Sequence, residues 1–315
     1  MTEGAHFLAD YPKAGVYDDE LSFKPDTSIG IQLSSSLGQD LAFTAQFISS
    51  GAKDFDTEAT WGYLSYQFTP EIAIHLGRKR LPLYYYSDSF DIGFTYNWIR
   101  PPTDNYTWQI SSYNGGSINY SPEWGYWDTT FTLYAGQEES NNNDLLSFLS
   151  NADVDETWKN MTGIVMEASH EWLDFRLSWM RSELDRVIND IVVSQNVEQT
   201  FTGTALNLHV SDFSLLTEFT RYKRPDDNII IDTDMISVAY RIGQFTPHIT
   251  KSRFKQKENL SGNDENHYTR TYGLRWDVHP SLAIKIQHDR VVDKGITMPI
   301  LGNAKLYSVG LDIIF

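Results

Sequence analysis

At 315 residues, the chain can hold two ordinary domains or one large all-β domain, and 41% hydrophobic residues with 9 Trp, 18 Tyr and 17 Phe exclude a disordered chain. A net charge of −17 argues against nucleic acid or anionic lipid as the main partner. Zero cysteines exclude a disulfide scaffold and a thiolate metal site.

No apolar run approaches the roughly 18 residues of a membrane helix. A membrane strand needs only about 9–11 residues, half of them polar, so mean hydropathy is blind to it. The opening "MTEGAHFLAD" has no basic region followed by an apolar core. Either the protein is not exported or a signal has been removed, and the strands that follow favour removal.

"GAHFLAD" supplies a first strand. In "LAFTAQF", Leu41, Phe43, Ala45 and Phe47 oppose Ala42, Thr44 and Gln46. In "DFRLSW", Phe175, Leu177 and Trp179 oppose Arg176 and Ser178. The pattern recurs in "TYGLRWDV", "LAIKIQHD" and the final "KLYSVGLDIIF". Period two over so many segments predicts antiparallel strands with one apolar and one polar face.

The connections alternate as well. Short turns fall near 37–39, 69–70, 122–126, 171–172, 211–212, 243–244 and 279–281. Longer links fall near 50–58, 81–105, 139–160, 187–196, 225–232, 258–265 and 293–303. Counting back from Phe315 gives about fifteen strands, and "GAHFLAD" makes about sixteen. No composition break divides residues 1–315, which read as one domain.

A closed sheet of about sixteen strands is too wide for side chains to fill. Its polar face must line water and its apolar face must meet something apolar. A bilayer fits, since closure leaves no unpaired backbone within it. Phe68, Trp124, Trp127, Trp172, Phe213 and Phe245 sit beside short turns, as a membrane–water girdle requires. The sequence therefore predicts a transmembrane antiparallel up-and-down β-barrel with short periplasmic turns and long extracellular loops.

Alternation places Lys79, Arg176, Arg241, Arg275 and Lys285 inside, with Glu167, Glu218, Asp277, Asp289 and Asp312. The two signs nearly balance, so neither a solute nor an ion preference follows. His75, His209, His248 and His288 fall on strands outside any nucleophile motif. Asp153, Asp155 and Glu156 lack the glycine and terminal glutamate of a calcium hand. "DLLSFL" suggests a short helix capped by Asp144. "YNGGS" at 113–117 reads as a bend. Asn105, Asn160 and Asn259 begin N-x-[ST] triplets that carry no weight in a bacterial protein.

On these features the chain resembles the outer-membrane porins of Gram-negative bacteria. "KLYSVGLDIIF" looks like their C-terminal signature. The resemblance implies that Tyr307, Val309, Leu311, Ile313 and Phe315 are read by the barrel-assembly machinery. It also implies that "GRKRLPLYYYSDSFDIGFTYNWIRPPTDNY" holds a loop, 81–105, folded into the barrel. Asp88 and Asp91 would then face Arg78, Lys79, Arg80 and Arg100 across a constriction, setting up a transverse field. The familiar "PEFGG"-like loop motif is missing, which loosens these assignments.

The resemblance further implies a homotrimer in the outer membrane, among its lipids and lipopolysaccharide, with no cofactor. The function so implied is passive diffusion of small hydrophilic solutes or ions. The alternatives are a structural or adhesion barrel whose loops bind a partner, favoured if the 81–105 loop fills the lumen, and an embedded hydrolase.

Overall fold

A computed structural model describes residues 7–10, 15–106, 108–258, 264–295 and 302–315. Residues 4–6 of "GAHFLAD", most of the 258–265 and 293–303 links, and Asn259 lie outside the described residues. The early strands are β1 (Phe7–Asp10), β2 (Gly15–Tyr17), β3 (Ser28–Ser36), β4 (Leu41–Ser50), β5 (Thr57–Thr69), β6 (Ile72–Arg80) and β7 (Ser112–Tyr120). The two-residue β8 (Glu123–Trp124) and β9 (Trp127–Ser140) precede helix α1 (Asp144–Ser150). Then come β10 (Val154–His170), β11 (Leu173–Ile188), β12 (Ile191–Val210), β13 (Phe213–Arg224) and β14 (Ile229–Tyr240). The last are β15 (Phe245–Glu258), β16 (Glu265–His279), β17 (Leu282–Asp293) and β18 (Ala304–Ile313).

One 16-stranded antiparallel sheet runs in chain order from β3 to β18, with neighbours along the chain paired except that β7 pairs with β9, and the two-residue β8 pairs only with β9. This is the up-and-down barrel that the alternation predicts. The stretch around Phe7–Asp10 departs from the expectation. It pairs with β2 in a separate two-stranded sheet. Pro12 follows two residues on in the sequence, and a proline cannot donate to a ladder.

Three expected links are shorter than the sequence suggests, and the one over 139–160 closes to 141–153. The turn expected over 187–196 is only Asn189–Asp190, with φ of 47° and 64°. Positive φ at both central residues is the conformation that matches strand twist, so the hairpin closes tightly and both strands grow. After β13, a 3-10 turn at Pro225–Asp227 leads directly into β14. The helix cap is Asn143, whose side chain accepts from the Leu146 amide at 3.1 Å. Asp144 instead pairs with Lys53 at 2.8 Å.

The outer wall is apolar. Ile286, Val309, Leu311, Ile249 and Leu133 are exposed, and Phe68, Trp124, Trp172, Phe213 and Phe245 are exposed at the short-turn end. Inward positions on the same strands are buried and polar, including Thr250, Ser252, Thr271, Gln287 and Asp289. Arginine at Ile284 or Leu311 is therefore expected to cost about 2–4 kcal/mol of barrel stability. Polar exchange at an inward site such as Ser237 should cost much less. Refolding titrations into lipid vesicles measure both, and equal costs would reverse the assignment of faces.

Candidate functional site: a loop across the lumen

The link between β6 and β7 runs from Leu81 to Ser111 and is longer than the predicted 81–105. Pro82 stops the ladder because it lacks an N–H. The Leu81 amide donates to the Ser111 carbonyl at 2.9 Å, so the loop leaves and rejoins the wall at one point. Between these ends the backbone makes 3-10 turns at Ser87–Ser89 and Gly93–Thr95.

The loop crosses the interior and is held by the far wall. Arg176 donates to the Pro82 carbonyl at 2.9 Å, and Ser178 to that of Leu83 at 2.7 Å. Facing them is Gly203, where an added Cβ would lie 3.0 Å from the Leu83 carbonyl oxygen. Glu218 accepts from the Tyr85 amide at 2.8 Å and the Tyr106 hydroxyl at 2.9 Å. Burial, reinforced by the Glu218 charge, pushes the Tyr106 phenol well above its usual pKa, so it remains a donor.

Further along, Lys285 donates to the carbonyls of Gly93 and Trp98, each at 2.6 Å, and pairs with Asp312 at 2.7 Å. Arg275 donates to those of Phe94 and Tyr96 at 2.7 and 3.0 Å. Trp98 reaches Thr250 at 2.8 Å, and Asp104 is held by His267 and Ser252 at 2.7 and 2.6 Å. These partners run from β11 to β17, so one loop ties together nearly half of the 16-stranded sheet. Apolar packing adds to this: Trp108 meets Trp158, Phe201 and Tyr222 edge-on at 5.0–5.4 Å.

The predicted constriction charges separate into four groups. Arg80 and Asp91 form a buried ion pair. Strict alternation from the exposed Leu76 would send Arg80 outward, but Gly77 has φ 138° and the strand changes course there. Arg100 is buried and forks onto Asp26 at 2.9 and 2.5 Å, while also meeting Asp289 at 2.8 Å and Ser308 at 2.9 Å. Arg78 stays on the wall, bidentate to Glu138 at 2.8 and 2.7 Å.

Lys79 and Asp88 differ. Lys79 lies 2.7 Å from His75 Nδ1 and 5.3 Å from the Tyr63 ring centroid, and Asp88 is an exposed loop residue that acts on it electrostatically. Glu167 pairs with Arg176, and Arg241 is exposed at the short-turn end.

Cavities of about 450 Å³ and about 290 Å³ lie on opposite sides of the loop. The first, at the short-turn end, is lined by Thr95, His209, Asp212, Arg241 and Asp277. The second, below α1, is lined by Leu145, Arg224, Glu258 and Glu265.

One cluster has the composition of a hydrolase site. His209 lies 3.3 Å from the Ser214 hydroxyl and 3.5 Å from Asp174. Ser214 sits in a strand paired on both sides, so neighbouring amides are spent in the ladder rather than gathered for an oxyanion.

No family model and no curated sequence matches the chain. Its architecture is similar to Salmonella typhi OmpF in complex with daunomycin, at TM-score 0.59 and 13% identity over 91% of this chain and 89% of that one. It is also similar to the outer-membrane channel DcaP of Acinetobacter baumannii, at TM-score 0.59 and 9% identity over 91% and 83%. The trimer form of OmpT, an outer membrane protein of Vibrio cholerae, matches at TM-score 0.55 and 12% identity over 90% and 88%. With the apolar outer wall, these likenesses show the fold: a β-barrel, porin-like in architecture, of the kind those outer-membrane proteins have.

Sequence reasoning missed Asp26, His267 and Gln287 as partners of the loop, Gln287 accepting from the Ile99 amide at 2.7 Å, and missed Asp104 as the loop residue that His267 holds. In that set, strand positions are His267 and Gln287. Strand alternation carried a signal for the last two, which share the inward faces of Arg275 and Lys285. Asp26 and Asp104 sit in irregular segments, where spacing says nothing about direction.

Proposed function

We propose that the barrel is an outer-membrane channel for passive diffusion of small hydrophilic solutes or ions, narrowed by the 81–111 loop. The observation that carries this reading is the pair of cavities on opposite sides of the loop; in this reading Asp88 and Lys79 stand beside the route that solutes take between them. Loop charge there meets solutes in a narrow, weakly screened space. The mechanism needs no bond-making step. A planar-bilayer recording of the refolded protein in asymmetric salt tests it, and a protein that inserts without stepwise conductance overturns it.

The aromatic packing of the loop favours a second reading, a barrel plugged by its own loop that acts through its surface. The same recording separates the two. Assembly as a trimer agrees with one similar structure, and cross-linking of the native membrane protein would test it.

Tyr307, Val309, Leu311, Ile313 and Phe315 form an exposed apolar series on β18 and just past it. We assign to it recognition by the assembly machinery. Deleting Phe315 should lower surface levels in cells far more than it lowers refolding yield in detergent. Normal surface levels would remove that role.

A further inference from the structure

On the outer wall around β11 to β15, cations stand beside acids. Arg221 pairs with Asp232 at 2.6 Å, Arg181 with Glu198 at 2.7 Å, and Arg253 with Asp234. Across β15 to β18 the pattern changes. Lys251 is directly opposite Arg270, Arg270 opposite Arg290, and Arg290 opposite Lys305. All four are exposed, and among the described residues none is ion-paired to an acid. Arg270 rests on the Tyr268 ring, 5.6 Å from its centroid.

Like charges directly opposite on neighbouring strands repel. Four in a row, in a chain of net charge −17, require an anion to offset them. The next row toward the short turns is Ile249, Tyr272, His288 and Tyr307. His288 stacks on Tyr307 at 4.3 Å and on Tyr272 at 6.5 Å. Beyond it come Pro247, Leu274, Ile286 and Val309. Cations, then aromatics, then apolar residues is the order that a phosphate on an acyl chain would meet. A free anion would have no use for the two lower rows.

We propose that Lys251, Arg270, Arg290 and Lys305 bind the phosphate groups of an outer-leaflet lipid. Arginine forks at the centre of the row suit phosphate oxygens, and lysines at its ends add charge. The site rests on the outer-membrane placement proposed above. It also shows why net charge misleads about partners: a local row can oppose the average.

The test uses the full chain refolded in uncharged detergent, with lipid A bearing both phosphates and the same lipid A after dephosphorylation. The wild type should bind the phosphorylated form at least about tenfold more tightly, as expected from several cations at the surface. R270Q/R290Q should lose most of that preference, and R270K/R290K should keep part of it. Should R270Q/R290Q not fold, K251Q/K305Q must show the same direction from the ends of the row.

Unchanged affinity in the folded variants overturns the site. So does equal competition by inorganic phosphate, which would make it a free-anion site. A changed oligomeric state with unchanged lipid affinity also overturns it, assigning the row to a subunit contact. Conductance of the same variants is read separately. Conductance without lipid binding sinks only the site, and lipid binding without conductance sinks only the channel.

Discussion

Replacing Arg100 with methionine is expected to destabilise the barrel by about 3–5 kcal/mol, because it leaves the buried Asp289 and the half-buried Asp26 without their cation. Asp289 is 2% exposed, and Asp26 lies just ahead of β3. Arg100 holds both, together with Ser308 on β18. Tyr17 also donates to Asp26 at 2.8 Å. The guanidinium therefore ties the inserted loop to both margins of the sheet, since β3 and β18 stand at its two ends. Urea titration of the refolded protein reads the loss.

A triple variant, R100M/D26N/D289N, should recover part of it, since all three desolvated charges are then gone. Equal stability of the single and triple variants would mean that the network is not what holds Arg100. A loss below about 1 kcal/mol in R100M would place the clamp elsewhere, in the range of an ordinary surface pair.

The wall of this protein is legible in its sequence because lipid outside and water inside impose a strict period of two. That rule alone places Lys285, Arg275 and Arg176 inward. Their work was not legible. Each points at a backbone carbonyl of the loop, and a carbonyl leaves no mark on composition. The loop itself follows no period, so its length and clustered charge suggest insertion, but nothing in the spelling of "LPLYYYSDSFDIGF" says that Asp91 meets Arg80 while Asp88 stays exposed. The same blindness explains the 189–190 hairpin. The mixed stretch "VINDIVVSQN" breaks strict alternation and reads as a long link, although the backbone continues as strand on both sides of the turn.

Asp88 and Lys79 should set the ion preference of the channel, while the buried pairs should not. Asp88 lies on the exposed edge of the loop, and Lys79 stands on the wall beside His75 and Tyr63. A single charge felt across several ångströms of confined water is worth about 1 kcal/mol, which changes ion partitioning about fivefold. D88N should therefore shift the reversal potential toward anions, and K79Q should shift it toward cations by a similar amount.

Arg80 and Asp91 cancel within one buried pair, so the double variant R80Q/D91N should leave the reversal potential near that of the wild type while making the loop easier to unfold. Asp153 and Asp155 lie near the long-loop end, where bulk salt screens charge within about 8–10 Å. Neutralising both should do little. Planar-bilayer recordings in a salt gradient read all four variants on one scale. If R80Q/D91N or the outer pair moves the potential more than D88N does, the ions pass by another route and the passage beside Asp88 is closed.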